Sequence, residues 1–429
     1  MTDAVHESPF STAAGRRIRD ALAALAPRIR ELAVDGEKLG CLPPETLEAM
    51  ADTGVFRVSV PEKFGGHAMG TRDLAEIVTA AARGDGSAGW LTMIASGFAR
   101  VMLTFSDEAV NEVYGRAMDW PGPVVAGASL FSDKIQRAHR VSGGYVVEAG
   151  GRWGFGSGCK HTAYVVVGVV LEPSPDEHLR GMVLLEREQY EILDDWHVMG
   201  LAGSSSNSVT VPNDVFVPES RFVPLAEFPD RLDDLHNRFD GPGYEMESRG
   251  LMLVVALETM AVTLGMAQGA FECFVEQARA RKPFNLPYDT VAATPSVQVT
   301  AGKVRAMINS AEALLFGRAD HLDRKARAGE PITPAEEAEI TMDLVHAGNT
   351  CGSAIDMIQM ALGSSTVSLR NPIQRYARDV RVALTHGSTR LDPSAEISGR
   401  HLMGLPAFSD GMAAVPGVDK ASRQAASVG

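Results

Sequence analysis

Two segments of this 429-residue chain combine side chains and neighbours suited to chemistry. Ser157 stands between two glycines in WGFGSGC, where bare backbone could approach a flat ligand and the hydroxyl could hydrogen-bond its edge. His386 follows the segment ARDVRVALT, and imidazole accepts and donates protons near neutral pH. Each has an ordinary alternative: a turn serine at a strand end, and a histidine favoured by the dipole at a helix C-terminus.

Two further segments could bind an anion. Arg281 lies in RARKPFNLP, and a guanidinium can hold a phosphate through paired hydrogen bonds. Gly363, Ser364 and Ser365 form a run whose backbone amides and hydroxyls could do the same. The alternatives are a solvated arginine and a turn that merely ends a helix.

The motifs of several large enzyme classes are absent from the sequence. We find no GxGxxG in a strand–turn–helix setting, no GxxxxGKS/T, no GxSxG and no HExxH. The 11 histidines include no pair at helical metal-ligand spacing. These absences argue against a self-contained nicotinamide enzyme, a P-loop protein, an α/β-hydrolase and a zincin, and we expect no metal site.

Composition narrows the class of partner. The chain carries 54 acidic and 40 basic side chains, a formal net charge of −14, which repels nucleic-acid backbones and anionic lipid. We therefore expect neither a nucleic-acid partner nor a membrane surface. The 4 cysteines form no CxxC pair, which predicts inert thiols in a reducing, cytoplasmic setting. The N-terminus lacks the apolar core of a signal peptide.

Residues 251–271 are long and apolar enough to be tested as a membrane span. Glu258 lies near the middle, however, and a carboxylate at a bilayer centre costs about 3 kcal/mol. We therefore predict a core helix of a large bundle rather than a transmembrane helix.

The pattern of apolar residues divides the chain into three regions. Up to residue 118 the periodicity is helical, with Thr71 as a candidate N-cap. Between 119 and 240, short β-branched runs such as YVVVGVVL and DVFVP, separated by turn residues, indicate strands of a small barrel or sandwich. From 241 the helical periodicity returns. Its main helices are predicted at 246–279, 296–328, 334–362, 372–384 and 393–403.

This order predicts an α+β protein that is mainly α-helical. We expect an N-terminal helical domain over 1–118, a central β-domain over 119–240 and a C-terminal helical bundle over 241–429.

Four segments, in order, resemble the two-component (group D) flavin-dependent monooxygenases of the acyl-CoA dehydrogenase superfamily. They are VPEKFGG (60–66), GGRWGFGSGCKHTAYVVVG (150–168), WHVMGLAGSSSNSVTVPNDVFVPESR (196–221) and GSSTVSLRNPIQRYARDVRVALTH (363–386). The resemblance is closest to the oxygenase components of aromatic and phenol hydroxylases, and it spans nearly the whole chain.

The resemblance implies an acyl-CoA dehydrogenase-like fold with a C-terminal four-helix bundle, in which flavin lies between the β-domain and the bundle. Members are usually homotetramers. A separate NAD(P)H:flavin reductase supplies reduced FMN or FAD, which reacts with O2 to give a flavin C4a-hydroperoxide. One oxygen atom then hydroxylates, or oxidises at nitrogen or sulfur, a small substrate, expected to be aromatic or a secondary metabolite.

The resemblance also assigns roles to residues. Ser157 hydrogen-bonds the flavin edge near N5, and His386 manages the protons of substrate or flavin. The other implied cofactor-binding residues are Trp153, Phe155, Ser204, Ser205, Arg281, Phe284, Gly363, Ser364 and Ser365. The implied substrate-binding residues are Trp90, Phe98 and His386. Core packing for the aromatic residues and an ordinary polar loop for the serines remain the alternatives.

Two departures from the family pattern bear on the reaction. Acyl-CoA dehydrogenases carry a glutamate base near the position of His386, whereas the nearest carboxylates here are Asp379 and Asp392. Phenol hydroxylases of the group often carry a histidine where Phe98 stands, and phenylalanine cannot accept a phenolic proton. N-oxidation, S-oxidation and hydroxylation of a preactivated ring therefore stay open. The rival functions are an acyl-CoA dehydrogenase that desaturates a thioester and a non-catalytic flavin-fold binding module.

Structural roles are expected for other polar residues. Arg375 and Asp379 are four residues apart on one predicted helix, a spacing typical of an ion pair. His161 is expected to be a hydrogen-bonded structural histidine.

Overall fold

The N-terminal region is helical, as predicted. The computed structural model describes residues 8–117, 119–130, 136–172 and 179–405. The N-terminal helices are α1 (Ala13–Leu39), α2 (Pro44–Asp52), α3 (Thr71–Gly84), α4 (Gly86–Leu103) and α5 (Asp107–Arg116). Helix α1 buries one face through Ile18, Leu22 and Ile29, whereas α3 and α4 are buried over most of their surface.

The prediction that Thr71 caps α3 is wrong, because Thr71 is the first helical residue. Gly70 occupies the N-cap position and has no side chain to accept a hydrogen bond. The Asp323 carboxylate instead accepts from the backbone N–H groups of Thr71 and Arg72, at 2.7 and 2.8 Å. The cap comes from a distant part of the chain, so no local pattern could reveal it.

The middle region folds into two sheets that share one core. The strands are β1 (Val125–Ala128), β2 (Arg137–Val141), β3 (Gly144–Val147), β4 (Arg152–Trp153), β5 (Tyr164–Leu171), β6 (Leu179–Glu186), β7 (Glu191–Ile192), β8 (Val209–Thr210), β9 (Val215–Pro218) and β10 (Phe222–Pro224). The larger sheet has the order β10-β6-β5-β2-β3-β9, with β1 also pairing in parallel with β5. The smaller has the order β4-β8-β7. Trp153, Val167 and Val209 join the two sheets in a common apolar cluster.

The C-terminal region returns to helices. They are α6 (Phe228–Asp233), α7 (Leu235–Arg238), α8 (Ser248–Ala280), α9 (Pro295–Ala328), α10 (Pro334–Leu362), α11 (Pro372–Leu384) and α12 (Leu391–Leu402). The five predicted helices agree with α8 to α12 to within two residues at each end. Helices α8, α9, α10 and α11 pack as the predicted bundle. Residues 406–429 of the predicted third domain lie outside the described residues.

Helix α8 is the centre of the molecule. Its most apolar 18-residue window is 83% buried in the protein, so the apolar segment is the core helix that the sequence predicts. Gly265 and Gly269 face the backbone of α3, where a Cβ would overlap the carbonyl oxygens of Thr79 and Arg83. These two glycines, four residues apart, let α3 approach α8 closely and fasten the N-terminal region to the bundle.

A buried ion pair also links α8 to α4 of the N-terminal region. Glu258 of α8 is 0% exposed, and its Oε2 accepts a hydrogen bond from Arg100 Nη2 of α4 at 2.8 Å. Arg100 Nη1 also donates to Ser59 Oγ at 3.3 Å. The pair therefore ties α4, which carries part of the candidate site, to the bundle.

Glu258→Ala should lower the free energy of unfolding by about 3–5 kcal/mol, because Arg100 would keep a buried charge without its carboxylate. Chemical denaturation of both proteins measures the difference. Glu219→Ala is the matched control, since it removes one partner of the exposed Arg140–Glu219 pair and should leave the stability nearly unchanged. Equal losses in the two variants would contradict this role for the buried pair.

Candidate functional site

One face of α4 forms the wall of the candidate site. Trp90, Ile94 and Phe98 follow one another at intervals of four and therefore lie on the same side of the helix. Phe98 lies directly on Gly127 of β1, where any Cβ would overlap its ring. Leu91, on the same side, packs against Gly158. This face thus turns apolar side chains toward the first strand of the β-domain and the turn that carries Ser157.

The turn at Ser157 is held by backbone hydrogen bonds to the serine loop, which we define as residues 201–208. Gly156 N–H donates to Asn207 O at 3.0 Å, and Gly158 N–H donates to Ser204 O at 2.9 Å. Gly158 has φ +80°, a conformation that glycine adopts without strain. The two glycines around Ser157 therefore serve the close approach of two loops.

A chain of side-chain hydrogen bonds starts at Trp90. Its Nε1–H donates to Ser157 Oγ at 3.2 Å. Ser157 Oγ lies 2.7 Å from Ser206 Oγ, which lies 2.8 Å from Ser204 Oγ. Ser157, Ser204 and Ser206 are 7%, 1% and 3% exposed, so little water can replace any of these partners. The predicted loop serine Ser204 is thus connected to Ser157, through Ser206.

His386 reaches the same place from the bundle. It follows the C-terminus of α11, and its ring centroid lies 5.7 Å from that of Trp90, at an interplanar angle of 66°. His386 is an exposed residue, yet desolvation by the surrounding protein lowers the pKa of its imidazole below the ordinary 6.5. The imidazole is therefore neutral at pH 7 and able to accept a proton. Ser157 and His386, predicted as catalytic, both contact Trp90.

Backbone strain concentrates around this cluster. Ser129, Phe155, Leu201 and Ser205 all have positive φ, between 45° and 57°, although none is glycine. Such conformations cost energy and persist only where the surrounding structure enforces them. At Leu201 the enforcing contact is Asp379 Oδ1 of α11, which accepts from the Leu201 N–H at 2.7 Å. The bundle thus holds the start of the serine loop.

The prediction that Arg375 and Asp379 form an ion pair within α11 is wrong. Arg375 Nε lies 3.3 Å from Asp85 Oδ1, at the N-cap of α4, while Asp379 receives the Leu201 N–H instead. Burial and the nearby Asp85 charge raise the pKa of Asp379. Asp85 also accepts from the backbone N–H groups of Ser87 and Ala88, which fixes the first turn of α4. The sequence contains a signal for this cap, since in GDGSAGW (84–90) an aspartate, a preferred N-cap residue, stands directly before the helix.

Two predicted aromatic contacts have different outcomes. Trp153 is 1% exposed, and its Nε1–H donates to Gly168 O at 2.7 Å in the core of the β-domain. Of the two alternatives that the sequence left open for Trp153, this burial favours core packing over contact with the cofactor. Phe155 is 74% exposed beside the Ser157 turn. Its ring makes an edge-on contact with Trp196, and the two ring centroids are 6.1 Å apart. It remains available to a ligand.

The predicted anion-binding residues lie together, at the end of α11 opposite to His386. Arg281 is the C-cap residue directly after α8, and its Nη1 is buried without a hydrogen-bond partner in the described structure. One turn earlier, Gln277 is hydrogen-bonded to Asn371, which also donates to Ser365 O at 3.2 Å. This places the Gly363–Ser365 turn at the N-terminal end of α11. His386 follows the opposite end, about 20 Å away along the 13-residue helix.

The remaining predicted cofactor residues are also placed. Phe284 is 89% exposed in the loop after α8, and Ser364 is exposed in the Gly363–Ser365 turn. Ser205 is 0% exposed, and its Oγ has no hydrogen-bond partner within the described residues. The sequence places Ser206 in the same loop as Ser204 and Ser205, which the resemblance puts close to the flavin, but it selects only Ser204 and Ser205 as site residues. Only the fold shows which of the three consecutive serines meets Ser157.

His161 is confirmed as a structural histidine that anchors the Ser157 turn to the N-terminal region. Its Nε2 accepts from the Leu42 N–H at 3.1 Å, and its carbonyl oxygen accepts from Trp120 Nε1 at 2.8 Å. Burial lowers the pKa of His161 to about 4. The accepting nitrogen must be unprotonated, so the contact requires the neutral ring.

The contribution of His161 to stability should therefore be present above pH 6.5 and be lost as the pH falls toward 4, because the unfolded chain takes up the proton first. Relative to His161→Gln, which cannot titrate, the wild type should lose on the order of 3 kcal/mol across this window. Urea denaturation at several pH values measures both proteins. Parallel stability curves would refute the neutral-acceptor assignment.

The fold and the site define an acyl-CoA dehydrogenase-like protein. The sequence profile of the acyl-CoA dehydrogenase N-terminal domain matches residues 12–118, and that of the C-terminal domain matches residues 257–390. Among curated proteins, the chain is 30% identical over 389 residues to the flavin-dependent monooxygenase oxygenase subunit HsaA of Mycobacterium tuberculosis, covering 89% of this chain and 94% of that protein. It is 26% identical to the indole-3-acetate monooxygenase of Acinetobacter baumannii, covering 85% and 89%.

Solved structures agree. The crystal structure of HsaA from M. tuberculosis superposes with a TM-score of 0.78 at 28% identity, covering 92% of this chain and 99% of that one. XiaF from Streptomyces, solved with FADH2 and glycerol, gives a TM-score of 0.82 at 23% identity, covering 92% and 96%, and supports the fold. The chain belongs to the flavin-dependent monooxygenases of the acyl-CoA dehydrogenase superfamily. The predicted family, fold class and enzyme class are confirmed.

Proposed function

We propose that this protein is the oxygenase component of a two-component system, which uses reduced FMN or FAD and O2 to oxygenate a small aromatic substrate. The observation that carries the proposal is the meeting of Ser157, from the β-domain, and His386, from the bundle, on Trp90. Hydroxylation, N-oxidation and S-oxidation are all compatible with this arrangement.

The residues present fit a flavin. Gly156 and Gly158 let the Ser157 turn lie close to Asn207 O and to the Leu91 side chain, and this packing fixes the position from which the Ser157 hydroxyl would meet a flavin edge. Arg281 Nη1, buried and without a partner in the described structure, is suited to a flavin phosphate, together with the turn that begins at Gly363. When bound, reduced flavin supplies the electrons and activates O2, and the protein supplies geometry and electrostatics.

The chain's own residues then have distinct tasks. Ser157 holds the flavin edge through its hydroxyl, which Trp90 orients. The apolar side chains of α4, including Leu91 and Phe98, exclude water from the reacting centre. His386, neutral because burial lowers its pKa, takes a proton at an imidazole nitrogen and returns it. A phenolic substrate would give its proton to His386, since Phe98 cannot accept one.

The rival functions have less support. Desaturation of a thioester needs a carboxylate base, and Asp379, the carboxylate nearest to His386 on α11, is 1% exposed and bonded to the Leu201 N–H. A non-catalytic module would not require the strained serine loop, and the curated relatives named above are monooxygenases.

Ser157→Ala and His386→Ala should each lower product formation about 100-fold, the usual effect of losing an electrostatic or acid–base group. The assay combines NADH, FMN or FAD, a flavin reductase and a panel of phenols, indoles and aryl amines, with product and H2O2 quantified together. NADH consumption should continue in both variants, with most oxygen released as H2O2.

His236→Ala is the matched control, because His236 is exposed at α7 and its Nδ1 lies 2.6 Å from Asp233 O. It should retain wild-type activity. Activity of the wild type should also fall at acid pH as His386 becomes protonated, and His386→Ala should lack that dependence. Full product formation by Ser157→Ala and His386→Ala would exclude the proposed roles.

A homotetramer is the proposed assembly. Large apolar side chains of the bundle are exposed in the single chain, including Met360 at 80%, Leu369 at 70% and Leu402 at 78%. Exposed apolar surface of this kind marks an interface. Arg281 lies near the N-terminal end of α11 and His386 follows its C-terminal end, and this separation also supports a site to which a neighbouring subunit contributes. A NAD(P)H:flavin reductase is the proposed second partner, and the four free thiols suit a cytoplasmic location.

Light scattering should give the wild type the mass of four chains, and Met360→Asp combined with Leu369→Asp should give a smaller species, because charge would be buried at the interface. Leu39→Asp is the control, since Leu39 is 52% exposed and belongs to α1, an N-terminal helix that is not part of the bundle. A monomeric wild type would contradict the proposed assembly.

A further inference from the structure

The hydroxyl of Ser157 has a limited number of hydrogen-bonding positions. Trp90 Nε1–H can only donate, so Ser157 Oγ accepts from it at 3.2 Å. One lone pair and one hydrogen remain on the oxygen. Ser206 Oγ, at 2.7 Å, takes one of these two positions, and the other is left for a ligand.

Ser206 can use either position. When Ser157 donates to Ser206, the remaining lone pair of Ser157 can accept a hydrogen bond from a ligand. When Ser206 donates to Ser157, the Ser157 hydrogen is free to be donated to a ligand. Ser204 Oγ, 2.8 Å from Ser206 Oγ, can donate to or accept from Ser206 in the two cases. The three hydroxyls can therefore reverse direction together without breaking a hydrogen bond.

The two redox states of a flavin differ in the same way at N5. Reduced flavin carries a hydrogen there and donates, whereas oxidised flavin has a lone pair and accepts. We propose that Ser206 is a positioning residue that lets Ser157 accept a hydrogen bond from reduced flavin and donate one to oxidised flavin. The inference rests on the proposed function, in which Ser157 holds the flavin edge.

Loss of Ser206 would not affect the two states equally. With reduced flavin bound, Ser157 accepts from Trp90 and from the flavin, so its own hydrogen needs Ser206 as acceptor. Without Ser206 this buried hydrogen has no partner, which costs about 1 kcal/mol, a factor of about 5 in Kd. With oxidised flavin, the same loss leaves only a spare lone pair unfilled, which oxygen tolerates better.

The test measures Kd by fluorescence titration under anaerobic conditions. The wild type is first titrated with the reduced and oxidised forms of FMN and of FAD. The variants are then compared with the wild type, using whichever of FMN and FAD the wild type binds more tightly. Ser206→Ala should raise Kd for the reduced form about 5-fold and change Kd for the oxidised form less than 2-fold. Ser206→Thr, which keeps the hydroxyl, should restore the wild-type ratio. Ser204→Ala, which removes the next hydroxyl, should shift the ratio in the same direction by a smaller factor.

Two controls separate the relay from general damage. Thr92→Val removes a buried hydroxyl of α4 that donates only to Ala88 O, at 2.9 Å, and should leave both Kd values unchanged. Combining Ser157→Ala with Ser206→Ala should weaken reduced-flavin binding no more than Ser157→Ala alone, because the two residues act through one contact.

The outcomes are distinguishable. If the wild type binds neither flavin form, the proposed function fails and this inference with it. If the wild type binds both forms and Ser206→Ala changes the two Kd values by the same factor, or changes neither, the proposed function stands and the role of Ser206 is refuted.

Discussion

The hydrogen bond from the Trp90 indole to Ser157 is the contact on which the arrangement of the site depends. The indole makes two contacts: its N–H orients a hydroxyl of the β-domain, and its ring lies against the imidazole of His386. A helix of the N-terminal region therefore connects a strand-derived group and a bundle-derived group. The proposed active site is a junction of three regions, and none of them could form it alone.

Buried charges hold that junction in place. Asp85 caps α4 and pairs with Arg375 of α11, while Asp379 of α11 fixes Leu201 at the start of the serine loop. Burying two carboxylates and a guanidinium costs desolvation energy, and a hydrophobic core of the same size would serve stability equally well. The charges instead fix the relative positions of α4, which carries Trp90, of α11, which precedes His386, and of the serine loop, which contacts Ser157.

The sequence predicted the order of helices and strands because each long helix has its own periodicity and caps, as Thr333 and Pro334 show at the start of α10. Ser157 and His386 could be singled out as candidates because glycines flank Ser157 and because a histidine replaces the glutamate of related dehydrogenases. The structure brings both side chains to Trp90, and their catalytic roles stay a prediction. The N-cap of α3 and the partner of Arg375 could not be found, because Asp323 and Asp85 are distant in sequence. For Trp153 the sequence left cofactor contact and core packing open, because a strand residue beside a glycine turn gives no sign of which side it faces.

The most direct test of the proposed oxygenation is the fate of molecular oxygen in turnover with isotopically labelled O2. With reduced flavin supplied by a reductase and an aromatic substrate present, we predict a product that contains one labelled oxygen atom and a second labelled atom in water. A product whose new oxygen comes from unlabelled water, or a desaturated product with no added oxygen, would contradict the account.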